Sequence, residues 1–257
     1  MSIKPNYEKM DGCEFYPADI MVEYKQSVDE GLDIEKYKEL FEAVSKLPHD
    51  EITNDLGDTI FKIVSNAPMR ADYEFNEPSG LEEIKSLRKP YTVHGDVNRD
   101  SLHDKIHGAW LGRICGCMLG KTVEGIRSDE FIPFLKETGN YPLTRYIYRT
   151  DLMDDIEDKY KFGFTGNMSY VGDIDGMPAD DDTNYMVLAQ IIREKYGKDF
   201  TPYNVSVSWM DYQPKFAYCT AERIAFCNFV KGFTPPESAK YKNPYREWIG
   251  AQIRGDY

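Results

Sequence analysis

SLHDKIHGAWLGRICGCMLGK, residues Ser101–Lys121, is the stretch on which the fold class turns. Ser101 is a good helix-capping residue, and Asp104 stands in the first turn, where a carboxylate favours the free amides. Gly108, Gly112, Gly116 and Gly120 then recur every four residues. Each interior glycine costs a helix about 1 kcal/mol relative to alanine. A helix that keeps several of them implies close backbone approach along a flat stripe, with Trp110, Ile114 and Met118 packing elsewhere. In lipid the same spacing would suggest helix dimerisation. Arg113 and the lack of any run of about 18 apolar residues exclude that reading.

Helical patterning continues on both sides. Downstream, helices are expected over about Asp182–Lys195, Pro202–Asp211 and Ala217–Val230. Upstream, Asp33 would cap a helix carrying Ile34, Tyr37, Leu40, Phe41 and Val44 at spacings of three and four. A second would run from Glu51 to Val64 with Ile52, Leu56, Ile60 and Ile63 on one side, and a short third from Leu81 to Leu87. Strand-like alternation is scarce, so the expected class is all-α. Pro90–Asp100 reads as a linker. It divides an N-terminal helical extension, residues 1–100, from a second domain, residues 101–257.

With 257 residues, the chain is long enough to bury a sizeable core. Acidic residues outnumber basic ones by 44 to 31, a net charge of −13, which argues against a non-specific nucleic-acid binder. A small anionic ligand stays allowed, because a bound cation reverses the local field. The start, MSIKPNYEKMDGCEF, has no apolar core of the signal-peptide kind. The odd and scattered cysteines 13, 115, 117, 219 and 227 fit reduced thiols in a cytoplasm.

The stretch PADDDTNYMVLAQ, Pro178–Gln190, raises the chemical question. Asp180, Asp181 and Asp182 stand side by side before an apolar, helix-like run. On a regular helix adjacent side chains point about 100° apart, so all three converge only if the backbone turns just before the helix starts. One reading is a cap, with one aspartate bonding to the first-turn amides. The other is a hard divalent cation such as Mg2+, whose oxygen ligands would relieve the repulsion. Thr183 adds a hydroxyl at the same place.

Taken with GRICGCMLGKTVEG, which delivers Glu124 into a loop, these aspartates resemble the ADP-ribosylglycohydrolase family, of the dinitrogenase reductase-activating type. The family's first helix has the form G-x-x-x-G-D-x-x-G-x-x-x-E, matched here by Gly112, Gly116, Gly120 and Glu124. Its T-D-D-T motif is matched by Asp180-Asp181-Asp182-Thr183. IGAQIR, residues 249–254, looks like its N-G-A-A-M-R loop. The resemblance covers about residues 101–257. It implies an orthogonal helical domain binding two Mg2+ ions, with Mn2+ as the alternative. By that resemblance Asp181 and Asp182 are metal ligands, and Asp180 takes the place of a ligating threonine. Glu124 sits near the metals and the scissile ribose. Gly250, Ala251, Gln252 and Ile253 offer amides to the diphosphate of ADP-ribose. The implied reaction is hydrolysis of the glycosidic bond between ADP-ribose, or a related ribosyl group, and a protein side chain or small acceptor.

Two departures stand out. Cys117 occupies the place of the family's Asp in the G-D pair, and no D-x-D-T motif follows Thr183. They motivate two rival expectations: a non-catalytic module that binds ADP-ribose or a protein, or a fragment completed by a complementary C-terminal chain. Other chemistries are poorly matched. There is no G-x-S-x-G elbow, G-x-x-x-x-G-K-[ST] loop or C-x-x-C pair. His103 and His107 are spaced like zinc ligands but have no evident third partner. The acidic run Asp151–Asp158 reads as a solvated face.

Overall fold

The computed structural model describes residues 5–92, 95, 98–152, 156–160 and 169–255. Its α-helices, in chain order, are α1 (Ile20–Asp29), α2 (Lys38–Val44), α3 (Glu51–Ser65), α4 (Leu81–Leu87), α5 (Leu102–Lys121), α6 (Ser128–Glu137), α7 (Ile156–Lys159), α8 (Asp181–Tyr196), α9 (Pro202–Tyr212), α10 (Thr220–Val230) and α11 (Glu237–Lys240). Among the described residues there is no strand, only isolated β-bridges such as Leu32 with Met69. The protein is all-α, as the periodicity implies.

Two compact units make up the chain. One comprises residues 1–92 and 188–257, the other residues 93–187, and the division falls inside α8. In the first unit, Ile20, Phe41, Val44, Ile60 and Val64 from α1, α2 and α3, with Ile34 from the segment between α1 and α2, form a core. Start signals there are strong. Asp50 accepts the Thr53 amide at 2.8 Å at the head of α3, which satisfies one of the first-turn donors left without an intrahelical partner. Thr201 and Asn204 form a reciprocal capping box at the head of α9. Trp209 on α9 stacks on Tyr218 with ring centroids 4.6 Å apart. The N-terminal and C-terminal parts of this unit are tied by ion pairs: Arg246 pairs with Glu23 and Glu30, and Lys215 with Glu14.

In the second unit the core is Phe134, Leu135, Ile147, Leu152, Ile156 and Tyr170, packed around α6. A bidentate pair supports it: Arg145 meets Asp151 at 2.6 and 2.8 Å. Asp151 therefore faces a cation inside the fold, unlike the solvated face expected of residues 151–158. Residues 153–155 of that run lie outside the described residues.

The glycine helix α5 forms over the expected length, but its stripe is bare. Among the described residues, no atom lies within 4 Å of a Cβ placed at Gly108, Gly112, Gly116 or Gly120, helix backbone aside. The expected backbone approach is not made, so these glycines keep their intrinsic helix penalty without a visible packing return. Ser101 also behaves differently from expectation: its hydroxyl donates to the Asn98 carbonyl at 3.3 Å and makes no cap bond.

Candidate metal and hydrolase site

The aspartate triplet sits where the chain enters α8. Asp180 precedes the helix, and Asp181 and Asp182 are its first two residues. The Asp182 amide donates to Asp180 Oδ1 and to Asp181 Oδ1, each at 3.1 Å. The Thr183 hydroxyl and the Asn184 amide return to the Asp180 carbonyl at 3.2 and 2.9 Å. The backbone turn that the triplet requires is thus present, and Asp180 does cap the helix.

A second helix completes the cluster. Lys121, the last residue of α5, donates to Asp180 Oδ2 at 2.6 Å and to the Ala179 carbonyl at 3.4 Å. Cys117, one turn earlier, is buried at 6% exposure, and its sulfur lies within 4.8 Å of a carboxylate oxygen of Asp180 and of Asp182. Arg113, another turn back, donates to the Asp182 carbonyl at 3.5 Å. Residues 113, 117 and 121 are four apart, so they lie along one face of α5. That spacing was the signal available in the sequence. It goes unread until the partner on the opposite element is known.

Electrostatics follow from this geometry. Burial raises the Asp180 pKa, but the Lys121 ammonium, the Cys117 thiol and the Asp182 amide outweigh it and hold the carboxyl below its usual value. Asp181 is pushed up by burial and by its acidic neighbours, Asp180 first. The bond to Asp180 raises Lys121. Burial, then the two aspartates, push the Cys117 thiol far above its ordinary range.

Three donors converge here. Cys117 Sγ and one carboxylate oxygen each from Asp180 and Asp182 all lie within 4.8 Å of one another. Two anionic oxygens this close together suit a divalent cation, and the sulfur is a softer third donor. Asp181 is outside that group. Glu124 is exposed on the turn after α5, near enough for its charge to act on Lys121. His103 and His107 are both exposed on α5 and join no such cluster among the described residues. Gly250–Ile253 belong to the other compact unit, where Ala251–Arg254 form a 3-10 turn. That turn is pinned by Arg254, which donates to Glu222 at 2.9 Å. A Cβ on Gly250 would stand 2.1 Å from Glu222 Oε1.

The family model for ADP-ribosylglycohydrolase matches residues 98–255, more than half of the chain. The chain belongs to the ADP-ribosylglycohydrolase family. No curated protein and no solved structure matches it. Membership of the ADP-ribosylglycohydrolases suggests a glycosidic hydrolase acting on an ADP-ribosylated substrate. The family is generally metal-dependent, and the Cys117, Asp180 and Asp182 cluster supplies a place for an ion. Among the described residues no helix is long and apolar enough to cross a membrane.

Proposed function

We propose that this protein is a metal-dependent hydrolase that cleaves the glycosidic bond between ADP-ribose, or a related ribosyl group, and a protein side chain or small acceptor. The observation that carries the reading is the approach of an Asp180 and an Asp182 carboxylate oxygen to within 4.8 Å of each other in a chain of this family. Asp180 and Asp182 would hold a divalent cation, Mg2+ or Mn2+ by family resemblance, with Asp181 as a further ligand. When bound, such an ion supplies Lewis acidity and lowers the pKa of a water. Glu124, three residues beyond Lys121, would place a carboxylate beside the reacting ribose, where it offsets positive charge on the anomeric carbon as the bond to the acceptor breaks. The five cysteines are all free thiols, in keeping with a reducing, cytoplasmic setting.

The test is release of ADP-ribose from a modified protein with Mg2+, with Mn2+ and with chelator, for the wild type and Asp182→Asn. Metal-dependent release that the variant loses is expected. Absence of release under all conditions, with ADP-ribose still bound in calorimetry, would replace the hydrolase with a binding module. That second reading rests on Cys117 standing where the family has an aspartate.

A further inference from the structure

We infer that Cys117 is a sulfur donor to the cation site, so that this chain prefers a thiophilic divalent ion over Mg2+. The inference rests on the reading of Asp180 and Asp182 as metal ligands, and goes beyond it in the identity of the metal. The thiol is buried, on the α5 face that meets the aspartates, and its sulfur lies with the two carboxylate oxygens inside a 4.8 Å set. An all-oxygen site suits Mg2+, which sheds water reluctantly and gains little from sulfur. A thiolate beside two carboxylates instead favours Co2+ or Zn2+, which bind sulfur at about 2.3 Å in the zinc case.

Surrounding charges point the same way. Lys121 already holds Asp180 Oδ2 at 2.6 Å, and Asp180 Oδ1 accepts the Asp182 amide at 3.1 Å. Both oxygens of Asp180 are engaged before an ion arrives, so an all-oxygen ion finds a weakened donor there. Sulfur coordination compensates. In that step the S–H bond of Cys117 breaks, a sulfur–metal bond forms, and the proton passes to solvent. No change of oxidation state occurs.

Co2+ serves as the probe, because a cobalt–thiolate bond gives a near-ultraviolet charge-transfer absorption that a cobalt–carboxylate bond does not. The full chain is titrated with Co2+ and separately with Mg2+, with Cys117→Ser and Asp182→Asn alongside. The expected result is a charge-transfer band in the wild type that both variants lose. Cys117→Ser should weaken Co2+ binding by at least about tenfold, the scale seen even when an outer partner of a ligand is removed, while Mg2+ binding is unchanged. A band that persists in both variants comes from another cysteine and overturns the inference. Co2+ binding without a band overturns it too, but leaves the aspartates as ligands. Failure of either ion to bind the wild type overturns the inference and the metal reading together. Should Cys117→Ser fail to fold, the wild-type band and its loss in Asp182→Asn still decide.

Discussion

Replacing Arg246 with methionine should be among the most destabilising single changes in the unit formed by residues 1–92 and 188–257. Arg246 donates to Glu23 Oε1 at 2.8 Å, to Glu30 Oε1 at 2.8 Å and to the Asn243 carbonyl at 3.1 Å. A further bond joins it to Glu30 Oε2. The Glu23 side chain is fully buried, at 0% exposure. Its Oε1 also accepts the Ser27 hydroxyl at 2.8 Å, while Oε2 has no hydrogen-bond partner among the described residues. Arg246 is thus its principal compensation. Removing one partner of a buried pair costs about 3–5 kcal/mol, because the remaining charge stays desolvated. For a body of this size about 2–4 °C of Tm is lost per kcal/mol, so Arg246→Met should lower Tm by roughly 6–20 °C. Glu23→Gln in the same background removes the stranded charge and should recover much of the loss, with a coupling energy of about 1–3 kcal/mol. Thermal and urea unfolding of the wild type, both single variants and the double variant would measure this. A Tm within about 2 °C of wild type for Arg246→Met, or a coupling near zero, would show that the pair does not tie the two segments together.

Two further outcomes are expected. Gly112→Ala should stabilise the second unit by about 0.5–1 kcal/mol in urea unfolding, since no described atom lies within 4 Å of the new methyl; a loss of stability would reveal something packed on the stripe. At Asp151, burial raises the pKa, but Arg145 and the Tyr148 amide lower it below the ordinary value. Its stabilising effect is therefore complete above the unfolded pKa of about 3.9 and is lost as pH falls through the folded value. Asp151→Asn should cost stability at pH 7 and progressively less below about pH 4; a constant difference across that range would sink the assignment.

How far the sequence could be read depended on whether each element's partners were local. Helix α3 was legible because the apolar spacing of Leu56, Ile60 and Ile63 lies within it, although Ile52, expected on the same side, is exposed. Helix α9, expected over Pro202–Asp211, forms over Pro202–Tyr212, and the Thr201–Asn204 box that starts it acts within one turn. Helix α1 was not. Its buried face includes Glu23, Gln26 and Ser27 beside Ile20, so it lacks an apolar stripe, and the compensating Arg246 lies far along the chain. Helix α6 was hidden by Pro133, which normally argues against a helix interior. The aspartates of the candidate site were legible as a motif. Cys117 and Lys121 were not legible as their companions, because spacing identifies one face of α5 but not what that face meets.

The structure also changes how the acidic triplet is understood. A metal is not required to hold it together: the Lys121 ammonium, the Asp182 amide and the positive end of α8 already engage it. Among the described residues, Lys121 brings an ammonium to Asp180, the Arg113 guanidinium reaches the Asp182 carbonyl, and Glu124 adds to the negative field at Lys121. A pre-formed, partly paired cluster of this kind needs little rearrangement to accept a cation, because the turn that aims Asp180 and Asp182 inward is fixed by the cap itself. Helix cap and candidate ion site, rivals when only the sequence is considered, share one backbone turn.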